Sequence, residues 1–120
     1  MSATDALIIV TPEFNHGVPG LLKNTLDWLS RPAFDCALLG KPLFFATLSP
    51  EALGGVRAQY QLRETLSSIL CQLLPMREIA IPHVGAKVVD GQLADAATLS
   101  FISQAVGQFV IALPNIAPRS

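Results

Sequence analysis

Ala6-Leu7-Ile8-Ile9-Val10-Thr11, followed at once by Pro12-Glu13-Phe14-Asn15-His16-Gly17-Val18-Pro19-Gly20, is the stretch that decides the fold. The first part is an unbroken apolar run rich in β-branched side chains, too short for a helix and closed by a proline. It reads as a strand, and its lack of alternation reads as burial on both faces, as in a parallel sheet. Pro12, Asn15, Gly17, Pro19 and Gly20 then crowd the chain with turn formers. Beyond them Val18, Leu22, Leu26 and Leu29 recur at helical spacing. Pro19 suits the first helical turn, where its missing N–H costs nothing. Pro32 stops the helix near Arg31.

The same unit repeats. Pro42 to Leu48 is a second apolar run, and Ser49 to Gly55 a second breaker-rich loop with Pro50 and Gly54-Gly55. A long helix is expected from about Val56 to Leu74, with Ala58, Leu62, Leu66, Ile69, Leu70 and Leu73 on its inner face and Pro75 at its end. Arg57, Gln61, Arg63 and Glu64 fall off that stripe. Glu78 to Pro82 reads as a third strand, and His83 to Leu93 as a loop turning at Asp90-Gly91. A last helix starts near Asp95, an N-cap residue type, with Leu99, Ile102, Val106, Phe109 and Leu113 facing inward. Pro114 and Pro118 close it. Repeated βα units predict an α/β fold with a parallel sheet and helices on both faces. In such sheets ligands bind outside the carboxyl ends of the strands. That rule nominates Pro12 to Gly20 and Ser49 to Gly55 as binding loops.

Composition narrows the function. The 120 residues argue for a single domain, 1–120. Hydrophobic residues make up 51% and charged residues 14%, with a net charge of −1. There is no basic stripe, which argues against nucleic acid as a partner. No run is long enough to span a bilayer, and Met1 to Ala6 lacks the positive start of a signal peptide, so the expected address is the cytoplasm. Cys36 and Cys71 lack metal-ligand spacing and read as reduced thiols, with Cys71 in a helix. Glu13 is expected to order its loop or to accept backbone hydrogen bonds at a helix start. His16 and His83 read as loop histidines without a metal. Phe44, Phe45, Phe101 and Phe109 are expected in the core.

Thr11 to Pro32, with its Pro-Glu-Phe-Asn, Pro-Gly and Leu-Lys-Asn-Thr-Leu-Asp-Trp elements, resembles the signature of the NADPH-dependent FMN reductases, a family that includes chromate, quinone and azo-dye reductases. Ser49 to Gln59 with Leu62-Arg63 resembles the family's second flavin loop and its helix, and Asp90-Gly91-Gln92-Leu93 also matches. The resemblance runs over essentially the whole chain. It implies a flavodoxin-like fold, FMN as cofactor, NADPH or NADH as electron donor, and a flavin, quinone or similar small molecule as acceptor. It implies cofactor contacts from Pro12, Glu13, Phe14, Asn15, Gly17, Ser49, Gly54 and Gly55. The glycines suit close approach of backbone to a planar ligand. It implies no metal and no acid–base residue, since hydride transfer is the cofactor's chemistry. It also implies a homodimer or homotetramer.

Three departures from the family pattern bear on this. Phe14 replaces the usual Tyr, keeping the ring and losing the hydroxyl. Glu51 stands where Gly is usual, a place the pattern marks for an unusual backbone angle. The strand, helix and strand expected ahead of Asp5-Ala6, with the phosphate-cradling loop, are not found. The reading is therefore of an N-terminally truncated sheet holding strands 3, 4 and 5 of the order 2-1-3-4-5, with a bare apolar edge at Leu7 to Thr11. The rival to an active oxidoreductase is a catalytically inactive truncated or split member that needs another chain to complete the FMN site.

Overall fold

A computed structural model describes residues 5–113; the prolines expected to close the chain, Pro114 and Pro118, lie outside them. Strand β1 (Leu7–Pro12) pairs in parallel with β2 (Pro42–Leu48) along its whole length, from Leu7 opposite Leu43 to Pro12 opposite Leu48. Helix α1 (Gly20–Leu29) joins them through the segment 30–41, and helix α2 (Val56–Ser68) follows β2. On the other side of β2 the third strand is split in two. The parts are β3 (Gln72–Leu73), beside Pro42 and Leu43, and β4 (Ala80–Ile81), beside Thr47 and Leu48. Between those pairings β2 advances four residues and the outer strand seven, so residues 74–79 bulge from the edge. A short helix α3 (Val84–Lys87) and a hairpin, β5 (Val88–Val89) with β6 (Gln92–Leu93), lead into α4 (Ala96–Ala112).

The sheet is covered on both sides. On one face Leu43 and Phe45 meet Leu26 of α1, Leu62 and Leu66 of α2, and Cys36 and Leu38 of the connection. On the other, Phe44 and Ala46 meet Ala105 and Phe109 of α4, together with Ile79 and Ile81. The Phe44 and Phe109 ring centroids are 5.5 Å apart. Burying a ring such as Phe109 contributes about 2–3 kcal/mol. The expected inner faces of α1 and of the first three turns of α2 hold: Leu26, Ala58, Leu62 and Leu66 are buried, with Val18, Leu22 and Leu29 packed at the margin.

Several expectations are corrected. β1 is not buried on both faces: Ile8 and Val10 are exposed, because it is an edge strand and α4 lies over β2 and β4. Pro19 is the N-cap of α1 and not its first turn. Helix α2 stops at Ser68 and does not reach Leu74. Leu70 takes a left-handed φ of 67°, the Leu70 N–H donates to Ser67 O, and the Cys71 N–H donates to Leu66 O. That is a Schellman ending, with leucine where glycine is usual. It moves Cys71 out of the helix and Leu73 into a strand. Cys36 is the more buried thiol. The expected loop 83–93 is structured, though its turn falls at Asp90-Gly91 as predicted, both with positive φ. Asp95 caps α4 as expected by accepting from the Thr98 N–H. That bond and the one from the Thr98 hydroxyl, the larger influence, hold its carboxyl below the usual range. Leu99 is exposed, and Phe101 packs inward in that turn beneath the Arg77 guanidinium, 5.4 Å from its ring centroid. Among the described residues, no helix is long and apolar enough to cross a membrane.

Candidate functional site

β1 and β2 run parallel and end in register at Pro12 and Leu48, so the loops that follow them emerge side by side at the carboxyl edge of the sheet. This places Pro12, Glu13, Phe14, Asn15 and Gly17 on one loop beside Ser49, Gly54 and Gly55 on the other.

The first loop is a miniature hairpin. Phe14 and Gly17 form an antiparallel bridge, with the Phe14 N–H donating to Gly17 O at 2.9 Å and the Gly17 N–H to Phe14 O at 3.0 Å. Asn15 and His16 make its two-residue tip, with φ of 50° and 62°. Paired left-handed residues match the twist of a tight hairpin, and Asn and His tolerate that region better than most residues. Phe14, Asn15 and His16 are all exposed at the tip.

Two side-chain bonds fasten this hairpin to α2. Glu13 Oε1 accepts from the Ala58 N–H at 2.9 Å, at the first turn of the helix. The N-cap of α2, Gly55, supplies no side chain, so Glu13 satisfies an orphan donor from 45 residues away and sets a carboxylate at the positive end of the helix. Gln61 Oε1 accepts from the Val18 N–H at 2.6 Å. The sequence foresees a helix-capping role for Glu13 and gives no sign that Gln61 has a partner.

The second loop is closed upon itself. Gly54 and Gly55 are buried with φ of 64° and 83°. A Cβ on Gly54 would lie 2.7 Å from the Ala80 carbonyl carbon, and one on Gly55 would lie 2.9 Å from Thr47 Cβ. Their lack of side chains is thus demanded by β4 and β2, independently of any approach of their backbone to a planar ligand. Thr47 Oγ1 donates to Gly54 O at 2.8 Å and accepts from Gln59 Nε2, which also donates to Ile79 O. Gln59 is fully buried, a polar anchor on the apolar stripe of α2 that periodicity does not reveal. Ser49 is buried too, its Oγ accepting from the Glu51 N–H at 3.0 Å. Glu51 keeps a backbone angle outside the left-handed region, so the unusual angle expected there is not needed. Arg63 lies with its guanidinium 5.0 Å from the Phe45 ring centroid.

Chemically, the loops offer an exposed aromatic face, an exposed amide and a rigid backbone turn. The first turn of α2 is already served by the Glu13 carboxylate.

Comparison with known proteins gives these features a context. A sequence model described as NADPH-dependent FMN reductase matches residues 1–86. The chain is 39% identical over 111 residues to a quinone reductase of Escherichia coli strain K12, an alignment covering 88% of this chain and 58% of the relative. It is 38% identical over 103 residues to an NAD(P)H-dependent FMN reductase of Pseudomonas aeruginosa, covering 85% and 55%. Its fold superposes on FerB, a flavoenzyme NAD(P)H:(acceptor) oxidoreductase of Paracoccus denitrificans, with a TM-score of 0.83 and 32% identity, over 96% of this chain and 64% of that one. The chain therefore spans less than two thirds of the length of these relatives. With the parallel sheet, its helices on both faces and paired loops at the carboxyl edge, these matches establish that the chain belongs to the NADPH-dependent FMN reductase family.

Proposed function

We propose that the two loops form the ring side of an FMN site and that the chain serves an oxidoreductase passing electrons from NAD(P)H through FMN to a quinone or a similar acceptor. When bound, FMN supplies the redox chemistry. The chain's own residues bind, orient and exclude water. Phe14 offers an aromatic surface to a flat heterocycle. The Asn15 amide carries both a donor and an acceptor for the edge of such a ring. Pro12, Gly17 and the bond from Glu13 to α2 hold that surface still, which lowers the ordering cost of binding. Ser49, Gly54 and Gly55 act behind it, fixing α2 and the second loop against β2 and β4.

The two ends of the cofactor meet different surroundings here. The exposed hairpin suits the ring. The first turn of α2 does not suit the phosphate, because the Glu13 carboxylate already sits there and repels a second anion. The phosphate must be held by groups other than that helix end.

The single observation that carries this reading is the hairpin Phe14–Gly17, exposed at the carboxyl edge and fastened to α2. Quenching of flavin fluorescence in a titration of FMN with the full 120-residue chain tests it. Saturable binding at micromolar protein is expected, weakened when Asn15 is replaced by Trp. Equal affinity in Asn15→Trp would remove Asn15 from the site.

A second reading rests on the bare edge of β1, with Ile8 and Val10 exposed. In it the chain is an inactive half that needs another polypeptide to complete the site. A folded chain, by circular dichroism, that binds no FMN would favour it. For assembly we propose a homodimer or homotetramer, supported by exposed Leu21 and Trp28 on α1. Sedimentation equilibrium reads this directly, and a monomer at high concentration would reject it.

A further inference from the structure

We infer that Gly17 and Gln61 act as one unit, a seat that fixes the angle of the Phe14–Gly17 hairpin, and that Gln61 is a positioning residue for the reaction proposed above, on whose reading this inference rests. Three observations carry it.

The first is that the hairpin is held on both flanks by one helix. Glu13, just before it, bonds the Ala58 N–H, and Val18, just after it, bonds Gln61 Oε1. Residues 58 and 61 lie three apart on α2 and so share a face. A single attachment leaves a pivot. Two attachments on one rigid face remove it, and α2 is rigid there because Ala58 and Leu62 are fully buried.

The second is spatial. Gln61 Oε1 lies 2.5 Å from the point where a Gly17 Cβ would stand. The amide oxygen thus occupies the room that the glycine leaves open. The third is conformational. The Gly17 φ lies outside the left-handed region, unlike that of Gly54 and Gly55, so no left-handed strain opposes a side chain there. What bars a side chain at residue 17 is Gln61. Each residue of the pair is explained by the other. Orientation of bound groups is worth much in rate, and small displacements are costly.

A double-mutant cycle on the full chain tests the seat, using parent, Gly17→Ala, Gln61→Ala and the double variant. Two readouts are taken: exchange of the Val18 amide hydrogen by NMR, and FMN affinity by fluorescence titration. Loss of one hydrogen bond predicts Val18 exchange and the FMN dissociation constant each to rise about fivefold in either single variant. The double variant should stay near fivefold, where independent effects would multiply to roughly 25-fold. Gln61→Glu keeps an acceptor of the same length and should restore Val18 protection, which a purely steric role for residue 61 would not require.

Unchanged Val18 exchange in Gln61→Ala overturns the seat. Multiplying effects in the double variant overturn the unit. Faster exchange with equal FMN affinity in all four proteins overturns the positioning role while leaving the FMN reading intact. Failure of the parent to bind FMN overturns that reading and the positioning role with it, while the exchange cycle still decides whether the seat exists.

Discussion

The two loops at the carboxyl edge of the sheet occupy equivalent places after adjacent parallel strands, yet they are built in opposite ways. The first turns its side chains outward: Phe14, Asn15 and His16 face solvent, and its fastenings come from another element. The second is buried at its two ends, Ser49 and Gly54-Gly55, with Pro50 to Leu53 exposed between them, and its bonds run to its own strand, to β4 and to the turn at His83. The lesson is that topology nominates both loops, while packing divides the work. One loop presents a surface and the other carries it.

The sharpest way to break this contrast is at Gly54. Gly54→Ala combines a left-handed backbone with a clash against the Ala80 backbone, and should cost at least about 2 kcal/mol. Urea denaturation followed by circular dichroism measures it. A loss under 0.5 kcal/mol would mean that the second loop is not the support described. Next comes the fastening of the first loop to α2. Glu13→Ala removes a helix cap and should cost about 1 kcal/mol, while Glu13→Gln, which keeps an acceptor, should cost much less. Equal losses in the two variants would show that the charge matters and the bond does not. Phe14→Ala should leave stability within about 0.5 kcal/mol of the parent and weaken FMN roughly 3- to 10-fold. A variant that unfolds more easily and binds as before would invert the assignment of the first loop.

The last effect lies outside both loops and shows only at alkaline pH. Burial, with the nearby Cys36 adding to it, pushes the Cys71 thiol from its ordinary 9.0 up to about 11. Between those values the unfolded chain loses this proton and the folded chain keeps it, so stability falls as pH rises from 9 towards 11. A Cys71→Ala variant should show a flatter decline across that window in thermal melts at fixed ionic strength.

Much of this architecture is legible in the residues. Pro42 to Leu48 is an apolar run with no competing periodicity, and it becomes β2 without a shifted boundary. Asp95 caps α4 because an acidic residue at a helix start has few other uses. What stays hidden has physical reasons. Leu70 ends α2 from a left-handed backbone that leucine seldom adopts, so the apolar period runs on past the true end. The bulge 74–79 is masked because its Pro75, which suits a bulge, suits the expected helix end equally well. At the site, the resemblance marks the loops, and the residues themselves suggest that Glu13 caps a helix. That the helix is α2, and that Gln61 answers Val18, depends on pairings 45 and 43 residues apart, which no local signal encodes.

Every pairing of the parallel sheet includes β2. Among the described residues neither β1 nor the broken outer strand pairs with any other strand of it, so within them no partial sheet can form first and wait for β2 to arrive. The chain must close two loops onto a single central strand, and both closures cost entropy before the strand pairs reward them. This topology predicts that β2 belongs to the folding nucleus. Truncation of Leu43 should slow folding, whereas truncation of Ile8, half-open to water on an edge, should chiefly hasten unfolding.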